Sequence, residues 1–419
     1  MHKKKQRNKK TSQEEQVRMN FNKWTLALAA AGVVSLGSVA QAEEAQHAVG
    51  TALSSTTLSG YVDTSAIWKF GTGNNSMPGR SFDGTDKQDG FNLNVVKLTL
   101  EKPLDESQWA AGYKADLLAG PDAKAYRGII GASGEDFAIQ QAYVNMRAPV
   151  GNGLDFKMGV FDTIVGYETF DSYKNPNYSR SYGYNIEPVQ HTGLLASYQV
   201  AEWLGFQVGV ANTINSPING RAERIGTTTA ESEKTYMGGI TLTAPESMGF
   251  LKGATLYGAV INGLNGFNYQ TSSDMTHFYT GVTLPMPVTG LTLGASFDYR
   301  ANGGVLGNTG MQGSSYANAT ALYLSYQATE KLKFNNRAEY ASGTKGTFFG
   351  GIVDARHNDE VFADTFTVDY SLWANVVTRA EFRVDHYLDQ NPGAFGGTTT
   401  GSNLDNNALS LALNVIYKF

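Results

Sequence analysis

Asp385 and His386 stand side by side, and a carboxylate beside an imidazole is the raw material of general acid–base chemistry. They lie in "TRAEFRVDHY", where Ala380, Phe382 and Val384 alternate with Arg379, Glu381, Arg383 and Asp385. Neighbours on such a strand point to opposite faces, so the two cannot share a proton. His47, His191, His277 and His357 are the other histidines beyond residue 42, and no serine is spaced as a nucleophile demands. "DARHNDE", from Asp354 to Glu360, offers oxygen ligands without the spacing of a calcium loop, and reads as a solvated acidic loop. Gly-x-Gly matches precede no helix that would cradle phosphate, and the absence of cysteine removes disulfides and thiolate metal sites. No catalytic residue, cofactor or metal is expected.

What the sequence does carry is charge in strict alternation. In "LKFNNRAEYA", Leu332, Phe334, Ala338 and Tyr340 oppose Lys333, Asn335, Arg337 and Glu339. In "LTLGASFDYR", Leu293, Phe297 and Tyr299 oppose Ser296, Asp298 and Arg300. Such a pattern makes strands with one apolar and one polar face. Roughly ten such residues followed by a turn is the signature of a transmembrane β-barrel, weak per segment and strong when repeated.

Sixteen segments fit it, near 57–69, 91–102, 108–118, 137–148, 154–163, 190–200, 204–213 and 234–243, then 253–262, 276–285, 291–301, 317–327, 332–342, 361–371, 375–387 and 407–419. Short gaps such as "PVGNG", "ATEK" and "LWA" alternate with long polar ones such as 70–90, 214–233 and 388–406. The expected fold is therefore all-β: an antiparallel up-and-down transmembrane barrel over 57–419, with short periplasmic turns and long extracellular loops. A soluble sandwich would explain the alternation but not loops that are long on one side only. The sequence ends on "NALSLALNVIYKF", with Leu409, Leu411, Leu413, Val415, Tyr417 and Phe419 on every second position. This strand is expected to close the barrel against "TLSGYVDTSAIWKFG", leaving no free edge.

An Arg or Lys on the lipid face near mid-bilayer costs about 2–4 kcal/mol. The charged faces must therefore look inward, and sixteen strands leave room for an aqueous channel. The expected lining is Lys97, Glu101, Lys114, Asp116, Arg147, Lys157, Asp298, Arg300, Lys333, Arg337, Glu339, Arg379, Glu381, Arg383 and Asp385. Nine basic and six acidic groups form no single-sign ladder, so strict anion selectivity is not indicated.

At the amino end, Lys23 precedes an apolar run from Trp24 to about Val34 and the small-x-small triplet Ala40-Gln41-Ala42. Residues 1–42 read as a cleaved secretory signal, with Met19 an alternative start, and 43–56 as a short periplasmic segment. The signal's eight Lys/Arg and two acids leave 25 basic and 36 acidic groups, net −11, on the remaining 377 residues. That balance argues against nucleic-acid binding. The destination is the outer membrane, and the partners are its lipid and small polar solutes.

Between the fifth and sixth strands lies a segment, 163–189, unusually rich in rings: Tyr167, Phe170, Tyr173, Tyr178, Tyr182 and Tyr184, with Glu168, Asp171, Lys174, Arg180 and Glu187. Loops this aromatic pack against something. Two arrangements fit: a constriction folded into the channel that offers stacking surface to solutes, or a cap over the rim.

The run from Phe161 to Gly193, followed by "LLASYQV", resembles the OmpL-like (porin-2) family of β-barrel porins, and "NPNYSRSYGYNIEPVQHTG" is its most specific part. The resemblance covers most of the chain after the signal and implies an outer-membrane porin. The position of the segment is similar to the constriction loop of general diffusion porins. Their acidic Pro-Glu-Phe-Gly-Gly motif is absent, so their eyelet residues do not transfer. Tyr417 and Phe419 likewise resemble the terminal signal read by the barrel assembly machinery, and porins of this kind are commonly homotrimers. The function expected is passive diffusion of small hydrophilic solutes and ions. A sugar-specific channel and a structural or adhesive surface barrel are the alternatives.

Overall fold

The structure, a computed structural model, describes residues 55–70, 79–84, 87, 89–126, 136–215, 218–221, 233–265, 273–302, 305–307, 310–312, 315–349, 358–388, 394–396 and 404–419. The expected signal (1–42), His47, His357 and most of "DARHNDE" lie outside these residues.

Sixteen strands form one closed barrel. We number them β1 (Thr57–Phe70), β2 (Gly90–Lys102), β3 (Ala110–Ala119), β4 (Phe137–Ala148), β5 (Leu154–Asp162), β6 (Gln190–Ala201), β7 (Leu204–Ala211) and β8 (Thr235–Thr243). The remainder are β9 (Thr255–Asn265), β10 (Ser273–Pro285), β11 (Leu291–Asn302), β12 (Ser315–Gln327), β13 (Leu332–Gly343), β14 (Asp359–Trp373), β15 (Val376–Tyr387) and β16 (Asn407–Lys418). Every neighbour pair is antiparallel, and all but the closing pair of β16 with β1 are consecutive barrel strands. The fold is all-β, and its strands match the sixteen segments that alternation predicts to within a few residues at each end. Two short hairpins, Val305–Gly307 with Gly310–Gln312 and Phe395–Gly396 with Leu404–Asp405, extend the long gaps and were not anticipated.

β16 pairs with β1 from Tyr61↔Lys418 to Phe70↔Leu409. Beyond that ladder, Gly60 and Phe419 exchange both N–H···O bonds at 2.9 and 3.0 Å. The last residue of the sequence is thus itself part of the seam, as the terminal alternation implied. β1 and β2 carry a bulge: Asp63 faces Val95 and Thr64 faces Leu93, so Asn94 is the extra residue. Its side chain turns inward and donates to Asp63 Oδ1 at 2.8 Å, where Asn414 also donates at 2.6 Å.

The faces separate as the alternation requires. On β14, Val361, Ala363, Thr365 and Thr367 are fully buried, whereas Phe362 and Phe366 are 44% exposed. The exposed set continues through Phe382, Leu413, Val415 and Tyr417 on neighbouring strands and makes an outward apolar belt. Trp109, Trp203 and Trp373 are exposed at the short-turn end, the place of an interfacial aromatic girdle.

Candidate constriction and channel lining

Residues 163–189 do not stand clear of the rim; they cross the inside of the barrel and touch walls on both sides. In the outgoing leg, Ile164 O accepts from Tyr257 OH on β9 at 2.5 Å, and Tyr167 stacks on Tyr323 of β12 with centroids 4.2 Å apart. Ile164 and Val165 pack with Leu195, Met237 and Ile261 in an apolar cluster. Further on, Asp171 takes Lys97 Nζ of β2 at 2.8 Å and Tyr61 OH of β1 at 3.0 Å. In the return leg, Asn177 donates to Thr367 Oγ1 of β14 at 2.8 Å, and Tyr182 OH donates to Asp385 of β15 at 2.9 Å. A five-residue helix, α1 (Tyr182–Ile186), ends that leg, with the Ser181 side chain accepting from Tyr184 N. Gly166 sits at φ 112°, and a Cβ there would run into the Glu187 carboxylate, so the two legs approach closely only because this residue is glycine.

An irregular segment inside a barrel must find partners for its own N–H and C=O groups. The wall supplies them, and this accounts for its mixed charge. Arg337 gives Nη1 to Ser179 O at 2.7 Å and to Glu168 Oε1 at 2.8 Å, and Nη2 to Arg180 O at 3.2 Å. Arg383 Nη1 reaches Arg180 O at 2.7 Å, and Arg379 reaches Ser172 O at 2.6 Å and Asn175 O at 2.9 Å. A guanidinium, with five donors in a fixed fork, suits rows of carbonyls. The acids serve the amides. Glu381 accepts from Tyr178 N at 2.5 Å and Ser179 N at 3.1 Å, and Glu339 accepts from Tyr182 N at 2.7 Å. Arg180 ties the segment to itself through the carbonyls of Thr169, Tyr178 and Phe170, with its guanidinium over the Phe82 and Tyr184 rings.

Charge within the segment is tuned by this burial. Burial alone would raise the Asp171 carboxyl, but Lys174 and Lys97 beside it outweigh that and hold it well below the usual carboxylate range. Glu187 moves the other way: burial, then Asp298 and Glu168, push its carboxyl well above the ordinary value and favour its neutral form. Asp298 is held in turn by His277 Nε2 at 3.0 Å. In the loop after β3, burial pushes the Asp122 carboxyl up to about 6 against the pull of its partner Lys87.

The fifteen residues expected to line the channel divide into two sets. Lys97, Asp116, Asp298, Arg337, Glu339, Arg379, Glu381, Arg383 and Asp385 are buried. Glu101, Lys114, Arg147, Lys157, Arg300 and Lys333 remain partly open. Of these, Lys114 lies 3.5 Å from Glu101, and Arg147 pairs with Asp155 at 2.7 Å. Lys157, Arg300 and Lys333 have no carboxylate at salt-bridge distance among the described residues; Lys157 lies over the Tyr143 ring at 5.0 Å.

Within the segment, Glu168, Phe170, Asp171, Tyr178, Arg180, Tyr182 and Tyr184 are buried, and Tyr167, Tyr173 and Lys174 are half-buried. The rings are occupied by one another: Phe170 meets Tyr126 edge-on at 5.1 Å, Tyr182 meets Phe348 at 5.5 Å, and Tyr173 meets Tyr61 at 5.2 Å. The expectation of an open stacking surface for solutes is corrected on this point, because internal packing uses the ring faces. Beside the segment a cavity of about 60 Å³ remains, lined by Asp162, Glu168, Glu187, Tyr126 and Phe170 among others.

Asp385 and His386 are divided as alternation requires. Asp385 is buried inside and pairs with Arg383 at 2.8 Å, whereas His386 is exposed outside and bonds Asn407 Oδ1 at 2.8 Å. Asp359, within "DARHNDE", accepts from the amides of Gly346, Phe348 and Phe349, so it caps a loop. Sequence reasoning missed Tyr61, Asp63, Asn94, His277 and Asp369 as inward partners. Alternation was available as a signal for all of them but Asn94, which the bulge hides, and no local pattern marks which residue each one meets.

Residues 55–419 match the model of the family described as "Putative beta-barrel porin-2, OmpL-like". A comparison with curated protein sequences found no match. Among solved structures, the fold is similar to the outer membrane channel DcaP of Acinetobacter baumannii, with 12% identity, TM-score 0.54, and 87% of this chain and 97% of that chain covered. It is also similar to the anion-selective porin from Comamonas acidovorans, with 12% identity, TM-score 0.56, and 87% and 99% covered. The in-vitro folded, trimer form of OmpT of Vibrio cholerae shares 11% identity at TM-score 0.53, with 87% and 99% covered. At such identities the likeness speaks for the fold alone.

Proposed function

The chain belongs to the porin-2, OmpL-like family of β-barrel porins, and from that premise we propose a channel for passive diffusion of small hydrophilic solutes and ions, narrowed by residues 163–189. It is an outer-membrane channel; the solute class, the constriction and the residues named for them are our reading. The observation that carries this reading is the division of the inward charges. Eight of the nine buried charges bond the inserted segment and the ninth, Asp116, holds Lys97 from behind, while Glu101, Lys114, Arg147, Lys157, Arg300 and Lys333 remain partly exposed. A lumen built only for packing would have no need of six half-open ionic groups.

Five of those six are basic, and three of the five lack a carboxylate partner among the described residues. The reading therefore includes a mild preference for anions, short of strict selectivity. The chain reaches the outer membrane through cleavage of residues 1–42 as a signal, inserts through recognition of Tyr417 and Phe419 by the assembly machinery, and assembles as a homotrimer. No reaction is ascribed to it.

Liposome swelling with uncharged sugars of rising size tests the diffusion reading. Rates that fall smoothly with size support a non-specific channel. Uptake that saturates for one sugar and is competed by its analogues would favour the sugar-specific alternative, and no uptake by folded barrels would favour a structural one.

A further inference from the structure

Beneath the inserted segment, the periplasmic half of the lumen wall has a corner built almost entirely of hydrogen-bond donors. It lies on β3, β4 and β5, a few residues in from the short turns that precede β3 and join β4 to β5. Across the ladder Lys157 faces Asn145, and Lys114 faces Tyr143. Asn145 and Tyr143 are two apart on β4, so these side chains share the inward face, while Val144, Met146 and Met158 are exposed on the outer one. Direct and diagonal neighbours on one face of a sheet lie close enough for long side chains to meet.

Each of these groups has capacity left over. Lys157 is half-buried, with Nζ over the Tyr143 ring at 5.0 Å and no carboxylate at salt-bridge distance among the described residues. Lys114 lies 3.5 Å from the Glu101 carboxylate and 3.9 Å from Asp116. Asp116 is already held by Lys97, Thr99 and Gln141, so Glu101 is the acid left to this corner. Asn145 sets Oδ1 over Gly112, where an added Cβ would lie 2.6 Å from it. Asn145 Nδ2 and the Tyr143 hydroxyl have no hydrogen-bond partner among the described residues. Two ammoniums thus share the corner with one carboxylate. On β13 to β15 the periplasmic half is balanced instead: Lys333 faces Asp369, and Arg379 and Asn335 bond that same carboxylate.

We propose that this corner binds the carboxylate or phosphate group of a solute, with Lys157 as its principal cation. The inference rests on the open-channel reading and adds to it a saturable site. An oxyanion brings two or more acceptor oxygens on one centre, enough for Lys157 Nζ, Asn145 Nδ2 and the Tyr143 hydroxyl together. Bonds of this charge-assisted kind are short and strong. A sugar hydroxyl would meet the donors but leave the Lys157 ammonium without a counter-charge. Lysine presents a point charge, not a planar fork, so the site selects for charge and acceptor oxygens more than for ligand shape. Tyr143 packs on the cluster that contains Ile164 and Val165, which places the occupant directly under the constriction.

Inorganic phosphate and acetate, titrated at constant ionic strength against chloride current through single channels, test the site. In the wild type the current is expected to fall along a saturating curve. Block by phosphate alone, by acetate alone or by both supports the site and says which group fills it. Lys157→Gln should raise the half-blocking concentration about tenfold or more, the loss of one charge-assisted hydrogen bond. Lys157→Arg, which restores the charge, and Lys333→Gln, on the balanced wall, should each stay within about twofold of the wild type. A loss of current without saturation, or equal shifts from Lys157→Gln and Lys333→Gln, would reduce the effect to screening of the whole wall and overturn the site. A second readout needs no current: either anion should raise the heat-modification midpoint of the detergent-folded wild type and not that of Lys157→Gln. Silent channels with that difference intact would overturn the diffusion reading and leave the site standing. Conducting channels without the difference would overturn the site and leave the channel.

Discussion

Arg337 on β13 and Glu168 in the inserted segment are 169 residues apart in sequence and meet at 2.8 Å, both buried. The same guanidinium holds Glu339 on its own strand at 3.0 Å and two carbonyls of the segment. It is one of several wall side chains that fix residues 168–180, and it bonds the segment at three points.

Arg337→Met should therefore release the segment without opening the barrel. Removing one partner of a buried pair costs about 3–5 kcal/mol, because the other charge is left uncompensated. That cost falls on side-chain contacts, while the ladder is main-chain bonding. Planar-bilayer recordings should show larger and noisier steps from a barrel that still shifts on heating in gel electrophoresis. Unchanged steps would mean that the other pins suffice.

Arg180 and Tyr173 should differ in kind. Arg180→Ala removes donors from three carbonyls and a cation from two rings, so the segment should lose internal order and the current should flicker. Tyr173→Ala removes an edge contact with Tyr61, worth about 0.5–1.5 kcal/mol beyond area, and a ring beneath Lys174 and Lys418. It removes no hydrogen bond to a segment carbonyl, and should alter step size less than Arg180→Ala does. Equal effects in the two variants would contradict this division.

Much of this architecture was legible in the sequence, and the reason is physical. A strand between lipid and a polar interior must alternate, so sixteen alternating runs and the long-short gaps identify the barrel and its orientation. "LKFNNRAEYA" showed which side of β13 bears Arg337. The use made of Arg337 was not legible, because pairing with Glu168 across the barrel leaves no trace in a period-2 pattern. Asn336 and Asp364, which bond each other at 3.1 Å, were illegible for the opposite reason: they occupy outward positions where the pattern calls for apolar residues. The bulge at Asn94 shifts the phase by one residue and hides its inward turn.

Alkaline pH should loosen the segment through Glu187. Its carboxyl is raised by burial, by Asp298 and by Glu168, so the folded chain holds a proton that the unfolded chain releases. The associated stability is full below the unfolded value of about 4.3 and declines as pH rises toward the raised folded value. Above that value an ionised Glu187 faces Asp298 and Glu168. Conductance noise measured from pH 6 to pH 10 should increase in the wild type and stay flat in Glu187→Gln, which carries a permanent neutral amide. Parallel behaviour of the two proteins would remove Glu187 from the account.

Lys157, Arg300 and Lys333 should set the ion preference. Replacing all three with Gln removes three inward cations that have no carboxylate at salt-bridge distance among the described residues. The reversal potential in a salt gradient should then move toward cations, with step size changed less than twofold. A reversal potential that does not move would show that selectivity is set elsewhere.

The most direct test of the central claim is single-channel current from the purified, folded wild-type barrel in a planar bilayer under a salt gradient. The account predicts stable ohmic steps with a reversal potential displaced modestly toward the anion value. Silence from barrels that are demonstrably folded and inserted would contradict it, since residues 163–189 would then be closing the lumen, not narrowing it.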